Sequence, residues 1–203
     1  MASMALTKLV PAVTNPMVDR LVGLPPIDTA WVETVSGKKF HFLDPQPEEI
    51  DIIDIATALG NNCRYTGQCR GFYSVAEHSV AVSELTGNSL EGLLHDASEA
   101  YLQDIASPVK AHLSNYKELE DVVMRAILNK FGAIYPYGPA IKYADVVQLS
   151  TEARHLLPSK GNDWNWEWIW PEGRPKRFGI IPRFLSPKKA RDLFLRKYEE
   201  ITS

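Results

Sequence analysis

His95 and Asp96 are neighbours, and an imidazole nitrogen beside a carboxylate oxygen offers one divalent cation two donors. The dipeptide alone is common. Its setting gives it weight, because His78 precedes it and Asp145 follows it on segments with helical patterning. Four donors carried on three helices can converge inside a bundle. Glu99 stands four residues after His95, one helical turn along the same face, where a carboxylate can handle the proton of an attacking water. Four protein donors leave room for water or substrate only on an ion that takes more than four partners. That favours octahedral Co²⁺, Mn²⁺ or Mg²⁺, with Zn²⁺ as the further option, and two imidazoles favour Co²⁺ or Mn²⁺ over the oxygen-seeking Mg²⁺.

Phosphate chemistry needs cations. Arg64 lies in the loop ahead of the His78 helix, Lys110 follows Ser107-Pro108-Val109, and Lys142 lies one turn before Asp145. A guanidinium fork matches a phosphate through two bonds, while lysines act as point charges. Three such cations near the donor set would suit a ligand carrying several negative charges. Lys188, Lys189 and the other seven Lys/Arg of residues 174–197 face one acid, Asp192, and read as a solvated helix face.

Elements must position these groups. Alternation from Thr29 to Leu43 around Ser36-Gly37-Lys38 predicts a hairpin. From Glu48 the period becomes helical, with Ile50, Ile53, Ala56 and Leu59 on one face and Gly60 as a stop. Ser74-Val75-Ala76-Glu77 is a capping box that opens a helix to about Leu85. Ser89 caps the next, expected to run through Leu93, Leu94 and Ala97 to Tyr101. Further helices are expected over Tyr116–Phe131 with Gly132 as stop, from Pro139 to Leu157, and from Ser186-Pro187 to about Glu200. Residues 1–26 read as a loose lead-in. The expectation is a mainly α single domain: hairpin at 29–43, helical core at about 48–158, and a Trp-rich segment with a last helix at 159–203.

The pattern His78, His95-Asp96, Asp145 resembles the H…HD…D signature of the HD-domain metal-dependent phosphohydrolases. The stretches Phe72 to Val80 and Leu93 to Ala100 are similar to the 5′-deoxynucleotidase branch, which includes phage dATP triphosphohydrolases. The resemblance spans about Ile50 to Leu157. It implies a helical HD bundle, one divalent metal on His78, His95, Asp96 and Asp145, and Glu99 as the acid assisting the water or leaving oxygen. It implies that Arg64, Lys110 and Lys142 hold phosphates, that Asp104 accepts the sugar 3′-hydroxyl, and that Pro108 packs on sugar or base. Tyr65 stands where the monophosphate branch carries Trp, so an aromatic is kept in kind. The implied activity is hydrolysis of dATP to deoxyadenosine and triphosphate, by a dimer or hexamer in the cytoplasm of a bacterial or phage-infected cell. The alternatives are a 5′-deoxynucleotidase on monophosphates, a cyclic or oligonucleotide phosphodiesterase, and a non-catalytic nucleotide sensor.

Composition excludes other classes. The 203 residues are 45% hydrophobic and 23% charged, enough for a core, and no apolar run would span a membrane. A net charge of −3 makes nucleic acid an unfavoured partner of the whole chain. Cys63 and Cys69 have no metal-ligand spacing and read as free thiols. His41, His112 and His155 fall in no motif. Trp164, Trp166, Trp168 and Trp170 alternate, so one extended segment would lay them on one face, wrapping the core, meeting a second copy or lidding a base.

Overall fold

The computed structural model describes residues 29–203; the lead-in expected over residues 1–26 lies outside the described residues. Alternation becomes β1 (Trp31–Glu33) and β2 (Lys39–His41), an antiparallel pair with Trp31 opposite His41. Gly37 turns the chain at a φ of 80°, a left-handed conformation that costs glycine nothing. Phe40 is the inward residue of β2 and stacks on Tyr101 in the helical core. His41 is fixed from outside, its Nδ1 2.6 Å from the Glu49 carboxylate.

Helix α1 (Ile52–Asn61) starts where the Asp51 carboxylate accepts the Ile53 amide. Ala56 and Leu59 are buried as expected, but Ile53 is 48% exposed and Ile55 takes its place inside. The cause is the period: at 100° per residue Ile55, Ala56 and Leu59 share one face of α1, and Ile53 lies about 110° away from its centre. Gly60 is not a stop. It lies within α1, and a Cβ there would sit 2.9 Å from the Pro187 carbonyl oxygen and 3.2 Å from the Arg191 Cβ. The missing side chain lets α1 and α9 (Pro187–Thr202) approach closely. Phe194 and Ala190 of α9 are fully buried, and sinking a phenylalanine contributes about 1.5–3 kcal/mol.

Helix α2 (Val75–Leu85) is buried without a break from Val75 to Ser83, so it runs through the centre of the molecule. Ser74 Oγ accepts the Glu77 amide, half of the expected capping box. The other half is absent: Glu77 accepts from the backbone amides of Arg183 and Leu185 instead. Two long-range amides that would otherwise be unpaired take the buried carboxylate from its local partner.

The single helix expected from Ser89 to Tyr101 is two. Ser89 caps α3 (Leu90–Leu94), and α4 (Glu99–Leu102) follows a tightened turn. The Ala97 amide reaches only back to Leu94 and the Glu99 amide to Asp96, bonds of three-residue span. Side chains enforce this: His95 Nδ1 takes the Gly92 carbonyl at 2.8 Å, and the Ser98 amide donates to the Met124 sulfur. The break falls on the His-Asp pair.

Next come α5 (Ser107–Lys110), α6 (Tyr116–Phe131), α7 (Pro139–Leu156) and α8 (Trp166–Ile169). Gly132 ends α6 at a φ of 70°. Ser186 occupies the cap position of α9, but its hydroxyl makes no capping bond. The tryptophans do not share a face. Asn165 caps the Trp168 amide and the Trp170 amide closes on Trp166, folding the segment into a helical turn. Trp166 is buried with its indole N–H on the Gly161 carbonyl, while Trp168 is 59% exposed. The fold is mainly α with one N-terminal hairpin, and among the described residues no helix is long and apolar enough to cross a membrane.

Candidate metal centre

His78 from the middle of α2, His95 and Asp96 from the break after α3, and Asp145 from α7 meet at one point. His78 Nε2 lies 3.2 Å from His95 Nε2, 3.5 Å from Asp96 Oδ2 and 3.2 Å from Asp145 Oδ1. His95 Nε2 lies 3.2 Å from Asp96 Oδ2 and 4.0 Å from Asp145 Oδ1. Bonds of ~2.1 Å to one ion place donors at right angles ~3.0 Å apart and opposed donors ~4.2 Å apart. The separations among His78, His95 and Asp145 match that shell. Asp96 Oδ2 is within reach of both histidines, but Asp96 is not part of that mutually close set, so the structure brings three of the four expected donors fully together and leaves Asp96 at its edge. Both histidines are buried, whereas Asp96 and Asp145 reach the surface and leave a path in.

Donor chemistry strengthens the fit. Each Nδ1 is turned to an acceptor, His78 to Glu152 at 2.6 Å and His95 to the Gly92 carbonyl at 2.8 Å. With those protons on Nδ1, both Nε2 atoms present lone pairs to each other and to two carboxylates, an arrangement that calls for a cation between them. The surrounding charge favours a positive charge at this point, and without an ion a proton on His78 Nε2 supplies it. Burial and Arg64 work against a charged His78, yet Glu152 and Asp145 outweigh them and push its pKa up to about 10. The residues present therefore suit a divalent ion.

Glu152 on α7 organises the layer behind. Its fully buried carboxylate accepts from His78 Nδ1, from the hydroxyls of Tyr73 at 2.9 Å and Tyr65 at 3.0 Å, and from Arg64 Nε at 3.1 Å. Burial alone would raise its pKa; Arg64 and His78 dominate and hold it well below the ordinary carboxylate range. Arg64 is locked by its amide on the Tyr73 carbonyl, and its Nη1 lies 3.5 Å from Asp96 Oδ2. Tyr65 spends its hydroxyl on Glu152 and packs its ring towards Trp164.

Glu99 is buried, with Oε1 3.4 Å from Lys110 Nζ and Oε2 without a hydrogen-bond partner among the described residues. Burial, then Asp96 and Asp104, hold its proton well above the ordinary carboxylate range. Lys110 bridges Glu99 and Glu120. Asp104 is half-buried and Pro108 exposed on α5. Lys142 lies elsewhere, lining a cleft of about 560 Å³ with His95 and Asp145. Of the two lysines grouped by the sequence, Lys142 lines this cleft and Lys110 does not. His155 is exposed with Nδ1 on the Thr151 carbonyl, and Cys63 and Cys69 are free thiols with sulfurs 4.0 Å apart.

No family model matches the chain. Over 179 residues, 85% of this chain and 96% of the relative, it is 37% identical to the uncharacterized protein YfdR of Escherichia coli strain K12. The chain belongs to the YfdR family. An uncharacterized protein of Rhodobacter capsulatus is 41% identical over 143 residues, 63% of this chain and 73% of that relative. In this YfdR-family chain, sequence reasoning missed Glu152, and also Lys117 and Arg125, which line the cleft with Lys142. The seven-residue step from Asp145 to Glu152, two turns along one face of α7, was a signal for the first. Lys117 and Arg125 look like any exposed helix charge until the cleft is seen.

Proposed function

We propose that this chain is a divalent-metal-dependent phosphohydrolase of the HD type acting on 2′-deoxynucleotides, with dATP as substrate and deoxyadenosine and triphosphate as products. The observation that carries this reading is the convergence of His78, His95, Asp96 and Asp145 beside the buried Glu99 and Arg64. A bound divalent ion supplies Lewis acidity towards a phosphoryl oxygen and helps orient a water.

The chain's own groups do the rest. Arg64, held by Glu152 at Nε and with Nη1 3.5 Å from Asp96 Oδ2, stabilises the α-phosphoryl oxygens as charge builds on them. Glu99 takes the proton of the attacking water as the new P–O bond forms. It returns that proton to the 5′-oxygen as the bond between that oxygen and the α-phosphorus breaks. A carboxyl whose proton is held above the usual range suits both halves of such a shuttle near neutrality. Glu152 keeps His78 in the tautomer that presents Nε2. The reading includes a cytoplasmic setting and a dimer or hexamer, the latter tested by sedimentation velocity.

One observation favours a second reading, a 5′-deoxynucleotidase: Lys110 is held by Glu99 and Glu120 rather than offered to an outer phosphate. Ion-exchange analysis of products from all four dNTPs and dNMPs, with Co²⁺, Mn²⁺ or Mg²⁺ added to metal-free protein, separates the two. Intact triphosphate and deoxyadenosine from dATP are the expected products. Orthophosphate from monophosphates, with triphosphates untouched, selects the second reading, and no hydrolysis of either rejects both.

A further inference from the structure

We propose that the outer phosphates of the substrate are seated in the cleft between α6 and α7 by Lys117, Arg125 and Lys142. Lys117 and Arg125 then set the preference for a nucleoside triphosphate over a monophosphate. The inference rests on the phosphohydrolase reading of the metal centre. The cleft, about 560 Å³, is lined by His95 and Asp145 of that centre and by all three cations, so a chain of phosphates in it touches both. Its volume lies within the ~300–1,000 Å³ of ordinary ligand pockets.

The three cations are free for an anion. Among the described residues, none of them has a carboxylate within ion-pair distance. This is not for want of a neighbour. Lys117, Asp121 and Arg125 follow one another at four-residue steps on one face of α6, the spacing at which helix ion pairs form. Asp121 instead accepts the Tyr135 hydroxyl, and Arg125 lies over the Tyr135 ring at 5.2 Å from its centroid. One tyrosine from the connection between α6 and α7 thus occupies the acid and steadies the guanidinium. Lys110, by contrast, is committed to Glu99 and to Glu120 of α6. The sequence placed an outer-phosphate contact on Lys110; the geometry gives that role to Lys117 and Arg125, which line the cleft as Lys110 does not.

The test uses the full chain and two readouts. Calorimetric titration of metal-free protein with inorganic tripolyphosphate, and separately with orthophosphate, reads the cleft without any turnover. The wild type should bind tripolyphosphate more tightly. Lys117→Ala and Arg125→Ala should each weaken that binding about tenfold, the loss of one charge-assisted contact at an exposed site. Lys117→Gln and Arg125→Gln, with circular dichroism and melting curves, guard against a folding artefact. In turnover, the double variant should raise KM for dATP at least about tenfold more than KM for dAMP. A wild type that ignores tripolyphosphate, or folded variants that bind it as the wild type does, overturns the inference even if dATP is cleaved. A chain that cleaves no nucleotide yet loses tripolyphosphate binding in the variants keeps the anion seat and sinks the hydrolase reading.

Discussion

Glu152 should be the residue whose loss damages stability and metal affinity together. Its carboxylate is fully buried and accepts from four donors: His78 Nδ1, the Tyr73 and Tyr65 hydroxyls, and Arg64 Nε. In Glu152→Ala the buried Arg64 loses its closer counter-charge, and breaking a buried pair from one side costs about 3–5 kcal/mol. The orphaned Tyr73 hydroxyl adds about 1–3 kcal/mol. Against a total domain stability of about 5–15 kcal/mol, that variant is close to unfolding. Glu152→Gln is the sharper probe, because it keeps the volume and one acceptor while removing the charge and turning an amide towards donors. It should stay folded in Mn²⁺, lose affinity for that ion about 10- to 100-fold, and unfold at lower urea when metal-free. The pH dependence carries a sign. The folded pKa of Glu152 lies below its ordinary 4.5, so its contribution is complete above pH 4.5 and fades as pH falls below it. Metal-free wild type should lose stability steeply there, and Glu152→Gln less so. Urea unfolding from pH 3 to 7 and calorimetric Mn²⁺ titration read both effects. Wild-type Mn²⁺ affinity together with an unchanged urea midpoint in Glu152→Gln would refute the anchoring role.

Glu99→Gln should abolish turnover while leaving Mn²⁺ binding nearly intact. Because Glu99's folded pKa is raised, its ionisation opposes folding as pH climbs above 4.5; the glutamine variant should therefore melt higher than wild type at pH 7 in metal-free protein, and a lower Tm would contradict that strain. Gly60→Ala should destabilise by about 1–3 kcal/mol, since the new methyl meets the Pro187 carbonyl at 2.9 Å; an unchanged urea midpoint would show that α9 can retreat freely. Glu77→Ala should cost about 1–3 kcal/mol by orphaning the Arg183 and Leu185 amides, and hydrogen exchange at those two amides should speed up.

What the sequence could show was local. Alternation around Gly37 marked the hairpin, Ser74 and Ser89 marked two helix starts, and Gly132 marked the end of α6, because turns and caps depend on groups a few residues apart. Residue types and order also named His78, His95, Asp96 and Asp145, since donors able to share one ion are few in kind. Tertiary packing decided the rest. Glu77 left its capping box for two amides more than a hundred positions away, and Gly60 proved to be a helix contact rather than a stop. The helix expected across His95 and Asp96 broke there, because a side chain and a sulfur claimed its backbone partners. Glu152 gained its place behind His78, Lys110 was drawn to Glu99 and Glu120, and Lys117 and Arg125 were left facing a cleft. A sequence lists the charges a chain carries. Only the fold sets the distances between them, and electrostatic and hydrogen-bond energies depend on distance and burial far more than on order along the chain.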